Sequence, residues 1–173
     1  RVLGVANLGL VDFVDNTINY FLLFAMLGIS NIGVRSIAAV NGSRDKLNTT
    51  FSNLLGVNLF FTILLLIVYI LSISIVTRFN QYSELFYIGT AKILFSTLLI
   101  EWFFTGIENF KYITIRTLLI KIIYVGSVFL LIKEPSDYLL YFVLTVSVIV
   151  VNAIVNIFYS SNFVSVKFKE LFN

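Results

Sequence analysis

Five long apolar stretches, over about residues 10–32, 51–76, 85–104, 115–132 and 138–159, constrain this sequence more than any motif in it. A helix crossing the roughly 30 Å hydrocarbon core of a bilayer needs about 20 mostly apolar residues, and each stretch approaches or exceeds that length. A soluble domain carries roughly a quarter charged residues to cover its surface. Here only 12% are charged and 59% are hydrophobic, with 18 Phe and 9 Tyr among 173 residues. So many large apolar side chains fit a lipid-facing surface better than a single water-soluble core. The expected fold class is all-α: one polytopic transmembrane helical bundle over 1–173, with about five spans.

Polar punctuation separates the spans. Asn41-Gly42-Ser43-Arg44-Asp45 reads as a turn between the first two. Arg78 to Glu84 reads as a short loop, with Ser83 placed to cap the third span and Glu84 in its first turn. Pro135, the one proline, falls in the loop Lys133 to Asp137, where Ser136 is placed to cap the fifth span. Lys and Arg gather in cytoplasmic loops of membrane proteins. The loops after the first, third and fifth spans hold Arg35, Arg44, Lys46, Lys111, Arg116, Lys121, Lys167 and Lys169. The opposite side holds Arg1, Arg78 and Lys133, so the first set is expected to be cytoplasmic. The chain starts at Arg1 without Met and without a signal-peptide pattern. Both ends are therefore expected to be cuts through a longer protein, with a further span before Arg1. Val34, Ile37, Ala38 and Asn41 share one helical face, which fits either an interfacial amphipathic helix or a plain extension of the first span.

Polar side chains inside spans are costly, so their placement is informative. Asp12, Asp15, Asn16 and Asn19 follow i, i+3, i+4, i+7 spacing and form a stripe of about 10 Å along the first span. The stripe fits a helix lining a water-filled cavity open to the outer side. It also fits aspartates in the headgroup region with asparagines bonding a neighbouring helix. Thr145, Asn152, Asn156 and Tyr159 share a face of the fifth span, where interhelical hydrogen bonding is the competing account. Asn58 and Thr62 make a weaker pair on the second. Lys92 lies about a third of the way into the third span. It must snorkel outward, form an ion pair, or face a cavity that handles an anion. Glu101 is nine residues on, about 180° round and about 13 Å along the helix, so the two cannot pair with each other. The third span is therefore expected to be buried among the others.

The chain has no Cys and no His, which removes disulfides, thiolate sites and the commonest metal ligand and general base. No phosphate-binding loop, catalytic triad or metal-binding acidic cluster is present in the sequence. No cofactor, metal or catalytic residue is expected, and moving a substrate fits the inventory better than chemistry on it. The net charge of +3 is not a basis for nucleic-acid binding, because in a membrane protein the position of charge matters more than its sum.

Several runs have a familiar look. Arg1-Val2-Leu3-Gly4 with Gly9-Leu10, the run YFLLFAMLGISNIGVR from Tyr20 to Arg35 with Ser36-Ile37-Ala38, and EWFFTGIENFKYITIR from Glu101 to Arg116 occur in an order that resembles Wzx-type polysaccharide flippases. Lys133 to Tyr141 fits the outer loop before their sixth span. Thr105 is a departure, since many members carry Gln there. The resemblance covers nearly the whole chain and corresponds to spans two to six. It implies part of the N-terminal bundle of a MATE-like transporter of the MOP superfamily, in a bacterial inner membrane. It further implies flipping of undecaprenyl-pyrophosphate-linked oligosaccharide for O-antigen and related lipopolysaccharide assembly. The partners implied are that lipid-linked oligosaccharide, membrane lipid and the missing remainder of the chain. On this reading Lys92, Asn16, Asn19, Asn152 and Asn156 line the cavity, and Asp12 or Asp15 couples an ion gradient. A MATE-type multidrug antiporter is the alternative, with an acidic and aromatic lumen. A membrane enzyme of polysaccharide assembly would need a large outer loop with catalytic side chains, and a purely structural subunit would tolerate apolar replacements of Lys92, Asp12 and Asp15.

Overall fold

The computed structural model describes residues 2–26 and 28–165. Arg1, Lys167 and Lys169, three of the loop charges named above, lie outside the described residues. Within them every regular element is a helix: α1 (Gly4–Ala25), α2 (Ile29–Val40), α3 (Arg44–Ile75), α4 (Thr77–Gln81), α5 (Ser83–Ser96), α6 (Glu101–Gly106), α7 (Phe110–Leu131) and α8 (Tyr138–Ser160). Five helical segments are long and apolar enough to cross a membrane: α1, α3, α5 with α6, α7, and α8 with the turn before it. The protein is thus an all-α, multi-pass helical bundle.

The first span was expected to reach Ile32. The helix instead starts at Gly4 and stops at Ala25, with Gly28 at φ +79 turning the chain before α2 begins. That left-handed conformation costs glycine little, which is why the break falls there. Helix α2 is accordingly a separate element and does not continue α1. It packs on α6 and α3. Gly33 lies under the Trp102 ring, where a Cβ would meet the ring at 2.8 Å, and Gly106 meets Ile37 just as closely.

Two apolar cores stack along the bundle. One joins Val14 and Ile18 of α1, Tyr69 and Ile73 of α3, and Phe86 and Ile93 of α5, all fully buried. The other lies toward the end of the bundle holding Arg44 and Phe110, where Phe51 packs on Trp102 and Phe103. Because α5 and α6 feed both cores, the third span sits centrally, against α1, α3 and α8. Helix α7 is peripheral. It leans on α8, buries only Arg116 among its residues, and exposes Leu118, Leu119, Ile122, Ile123 and Phe129. An apolar exposed face of this kind suits lipid.

Local chemistry differs from expectation at three places. Ser83 is the first residue of α5, behind Tyr82, and makes no cap bond. Before α8, Glu134 and Asp137 form the cap where Ser136 was expected: the Asp137 carboxylate accepts the N–H groups of Lys133 and Glu134 at 2.8 Å each. Arg116 and Lys121 are not loop residues, because α7 begins at Phe110 and carries both. That leaves Arg35, Arg44, Lys46 and Lys111 at one end of the bundle against Arg78 and Lys133 at the other, among the described residues. The asymmetry survives in weaker form, and the first end is called the basic end below.

The closeness of α1 and α5 rests on Gly89, where a Cβ would fall 2.2 Å from Ile18 Cδ1. Gly89→Val is expected to destabilise the bundle by about 1–3 kcal/mol, as overpacking does. Gly126→Ala, on open α7 surface, is expected not to destabilise it. Thermal unfolding of the purified protein in detergent checks both.

Candidate functional site

Lys92 does not stand alone. Its Nζ donates to Asp15 Oδ1 at 2.7 Å and to Asn19 Oδ1 at 2.8 Å, while Asn19 Nδ2 donates to Asp15 Oδ2 at 3.1 Å. The lysine side chain is 6% exposed and the Asp15 side chain 24%. Lys92 is nine residues into α5 and Asp15 eleven into α1, so the pair lies about 13–17 Å from that end of the bundle, close to half of a bilayer core. Of the three fates open to Lys92, snorkelling is ruled out and the ion pair is the one adopted. The same bond means that Asp15 is not a free carboxylate. Ser96, on the same face of α5, bonds the Ile93 carbonyl instead.

Asp12 and Asn16 lie on the outer flank of this pair and are exposed. On the neighbouring spans, Tyr141 of α8 and Tyr124 of α7 are close to each other and half-buried. Tyr124 Oη and Thr145 Oγ1 are 3.2 Å apart. One polar strip therefore crosses from α1 over α8 to α7. The named cavity candidates do not all join it. Lys92, Asn19 and Asp15 form one cluster, with Asn16 and Asp12 beside it. Asn152 is half-buried, donates to the Val148 carbonyl at 2.7 Å, and its buried Oδ1 has no partner among the described residues. Asn156 belongs to a second cluster.

That second cluster explains an unexpected break. The third span was expected to run unbroken to Phe104. Helix α5 ends at Ser96, Thr97–Leu99 form a 3-10 turn, and Ile100 adopts φ 33, ψ 32 before α6. A β-branched residue pays heavily for that conformation. Carbonyls freed at such a break need partners, because lipid offers none. Asn58 Nδ2 donates to the Thr97 carbonyl at 3.4 Å, and Thr97 Oγ1 donates to Thr62 Oγ1 at 2.7 Å. Asn156 Nδ2 donates to the Leu99 carbonyl. Asn156 Oδ1 in turn accepts from Arg116 and from Tyr112 Oη. Arg116 Nη2 also reaches Glu101 Oε1 at 2.5 Å. So Lys92 and Glu101 do find separate partners, and the run from Glu101 to Arg116 closes on itself through its first and last residues.

Two open cavities adjoin these clusters. One of about 620 Å³ is lined by Asn19, Leu22, Leu23, Met26 and Ser30, and runs from the Lys92 cluster toward the basic end. The other, of about 560 Å³, lies between α7 and α8 at the basic end. Lys121, expected as a loop charge, is instead exposed about halfway along α7 and has no ion pair among the described residues. Its position inside the apolar run read as the fourth span, 115–132, was the available signal.

A family model described as "Polysaccharide biosynthesis protein" matches residues 1–173. A similar protein of Escherichia coli (strain K12), named "Putative O-antigen transporter", is 23% identical over 137 residues. The match takes in 79% of this chain and 33% of the relative, so the chain spans about a third of that relative's length. No solved structure matches.

Breaking one side of a buried ion pair leaves an uncompensated charge, at a cost of about 3–5 kcal/mol. Lys92→Met and Asp15→Leu are each expected to lower the unfolding temperature sharply, and the double variant is expected to recover most of the loss. A double-mutant cycle on thermal unfolding measures the coupling.

Proposed function

The chain belongs to the polysaccharide biosynthesis protein family, and on that premise we propose that it is the substrate-facing part of a transporter for lipid-linked oligosaccharide. The cargo in this reading is undecaprenyl-pyrophosphate-linked glycan, moved from the inner to the outer leaflet of a bacterial inner membrane. The observation that carries the proposal is the exposed polar strip at mid-bilayer depth, with Asp12 and Asn16 open on α1 beside the Lys92–Asp15 pair. Lipid does not tolerate such a face, so it calls for water or more protein. Lys121 adds an exposed cation at similar depth, suited to pyrophosphate, and Asn16 and Asn19 add amides suited to sugar hydroxyls.

The matched relative is about three times the matched length, which leaves room for a second bundle facing this strip. Rocking of two such bundles about a central site is the scheme expected for repeat-built transporters. Asp12 is the better-placed carboxylate for ion coupling, since Asp15 is held by Lys92. Asp12 with Tyr124 and Tyr141 also gives an acidic and aromatic corner, the feature that favours the second reading, a cation-coupled drug antiporter. Lys121 weighs against it, because a cationic drug would meet a like charge.

The test uses the full-length protein in a strain lacking it. Lys121→Gln and Asn16→Leu are each expected to slow restoration of surface glycan by about tenfold, the effect of losing one hydrogen bond to a charged group. Lipid-linked oligosaccharide should accumulate on the inner leaflet. Undiminished surface glycan in both variants, or altered drug resistance with normal glycan, would count against the flippase reading.

A further inference from the structure

The 560 Å³ cavity between α7 and α8 is a different place from the polar strip. Its lining has two chemically distinct parts. Ile115, Leu119, Ile120 and Val155 make an apolar wall running into the bundle's depth. Lys111 and Arg116 stand at and just above the basic end, with the stacked rings of Tyr112 and Tyr159, 3.8 Å apart, beside them. Lys111, Ile115 and Leu119 are spaced by four, so one face of α7 carries a cation at its first turn and apolar side chains above it.

Arg116 is the informative residue. It is 5% exposed, its two terminal nitrogens are engaged by Asn156 and Glu101, and its Nε has no partner among the described residues. Arg116 therefore closes the inner end of the pocket as a buried, paired cation, and Lys111 is the cation left at its mouth. Lys111 has no ion pair among the described residues. No acidic side chain lines the cavity. Helix α7 also lacks a side-chain cap on its first-turn N–H groups, which adds a positive helix end to the same spot. The site is thus a basic pocket continuous with an apolar groove, opening on the least buried helix of the bundle.

We propose that this groove binds an anionic phospholipid of the leaflet at the basic end. Its phosphate sits on Lys111 at the first turn of α7, and one acyl chain lies along Ile115, Leu119 and Val155. Basic pockets between transmembrane helices on the cytoplasmic side recognise such headgroups. A soluble phosphate would leave the apolar wall uncovered. A covering protein helix would have to bring both a carboxylate for Lys111 and an apolar face, whereas one lipid molecule supplies the anion and the chain together. Arg116 also holds Glu101 and Asn156, which brace the break in the third span, so an occupied site stabilises that break by linkage.

The test uses full-length protein in nanodiscs of equal phosphatidylglycerol and phosphatidylethanolamine, with retained lipids read by native mass spectrometry. The wild type is expected to retain phosphatidylglycerol about five-fold over phosphatidylethanolamine, the effect of one basic side chain near an anionic headgroup. Lys111→Gln should bring the ratio close to one. Leu119→Trp, which fills the apolar wall without touching charge, should cut total retained phosphatidylglycerol. Arg116 variants are avoided because that residue braces the fold. Equal retention of the two lipids by the wild type, or an unchanged ratio in Lys111→Gln, overturns the proposal. So does displacement of phosphatidylglycerol by a stoichiometric polyprenyl pyrophosphate, which would make the groove a cargo site. Glycan export is scored separately, so its loss or retention bears on the transport reading alone.

Discussion

The carbonyls of Thr97 and Leu99 are released where the third span breaks, and inside a bilayer they must be bonded by other helices. This requirement draws the bundle together. Asn58 and Thr62 commit α3 to one side of the break, and Asn156 commits α8 to the other. Asn156 in turn needs Arg116 and Tyr112, which ties in α7, otherwise the loosest helix. Removing the break would leave Asn58, Thr62 and Asn156 as buried polar groups without purpose. Keeping it makes each of them a structural bond.

The left-handed Ile100 is then intelligible as a local cost offset by non-local bonds. It also places Glu101 at the start of α6, where its carboxylate meets Arg116 on the following span. An unbroken helix would carry Glu101 at a different angle, since each residue turns an α-helix by about 100°.

Much of the fold was legible because lipid makes hydropathy a direct readout of span existence, and because Pro135 and the Asn41-Gly42 turn punctuate loops whatever the packing. Reasoning from helix geometry correctly required Lys92 and Glu101 to have separate partners. It could not name Asp15, 77 residues away, or Arg116, because pairing across a bundle leaves no periodic trace. The break was hidden for a similar reason: Thr97-Leu98-Leu99-Ile100 is apolar enough to read as uninterrupted helix, and the side chains that stabilise its irregular backbone belong to other spans. Arg116 and Lys121 were counted as loop charges although both fall inside the apolar run 115–132; Arg116 is accommodated there by Glu101 and Asn156, which the sequence does not reveal.

The two polar clusters differ in what they leave unsatisfied, and that difference separates support from recognition. The Lys92 cluster is nearly closed: Asp15 neutralises the lysine, and Asn19 bonds both. Such a pair fixes α1 against α5 and sets the register in which Asp12 and Asn16 point outward. It is poorly suited to grip an anion itself, because a phosphate would have to displace a carboxylate already at 2.7 Å. On the proposed transport reading, the groups suited to a charged cargo are those with donors to spare, which describes the exposed Lys121 of α7 and Asn16 of α1 better than Lys92. On that reading Lys92 is a positioning residue: its bonds to Asp15 and Asn19 hold α1 against α5 and leave Asp12 and Asn16 exposed.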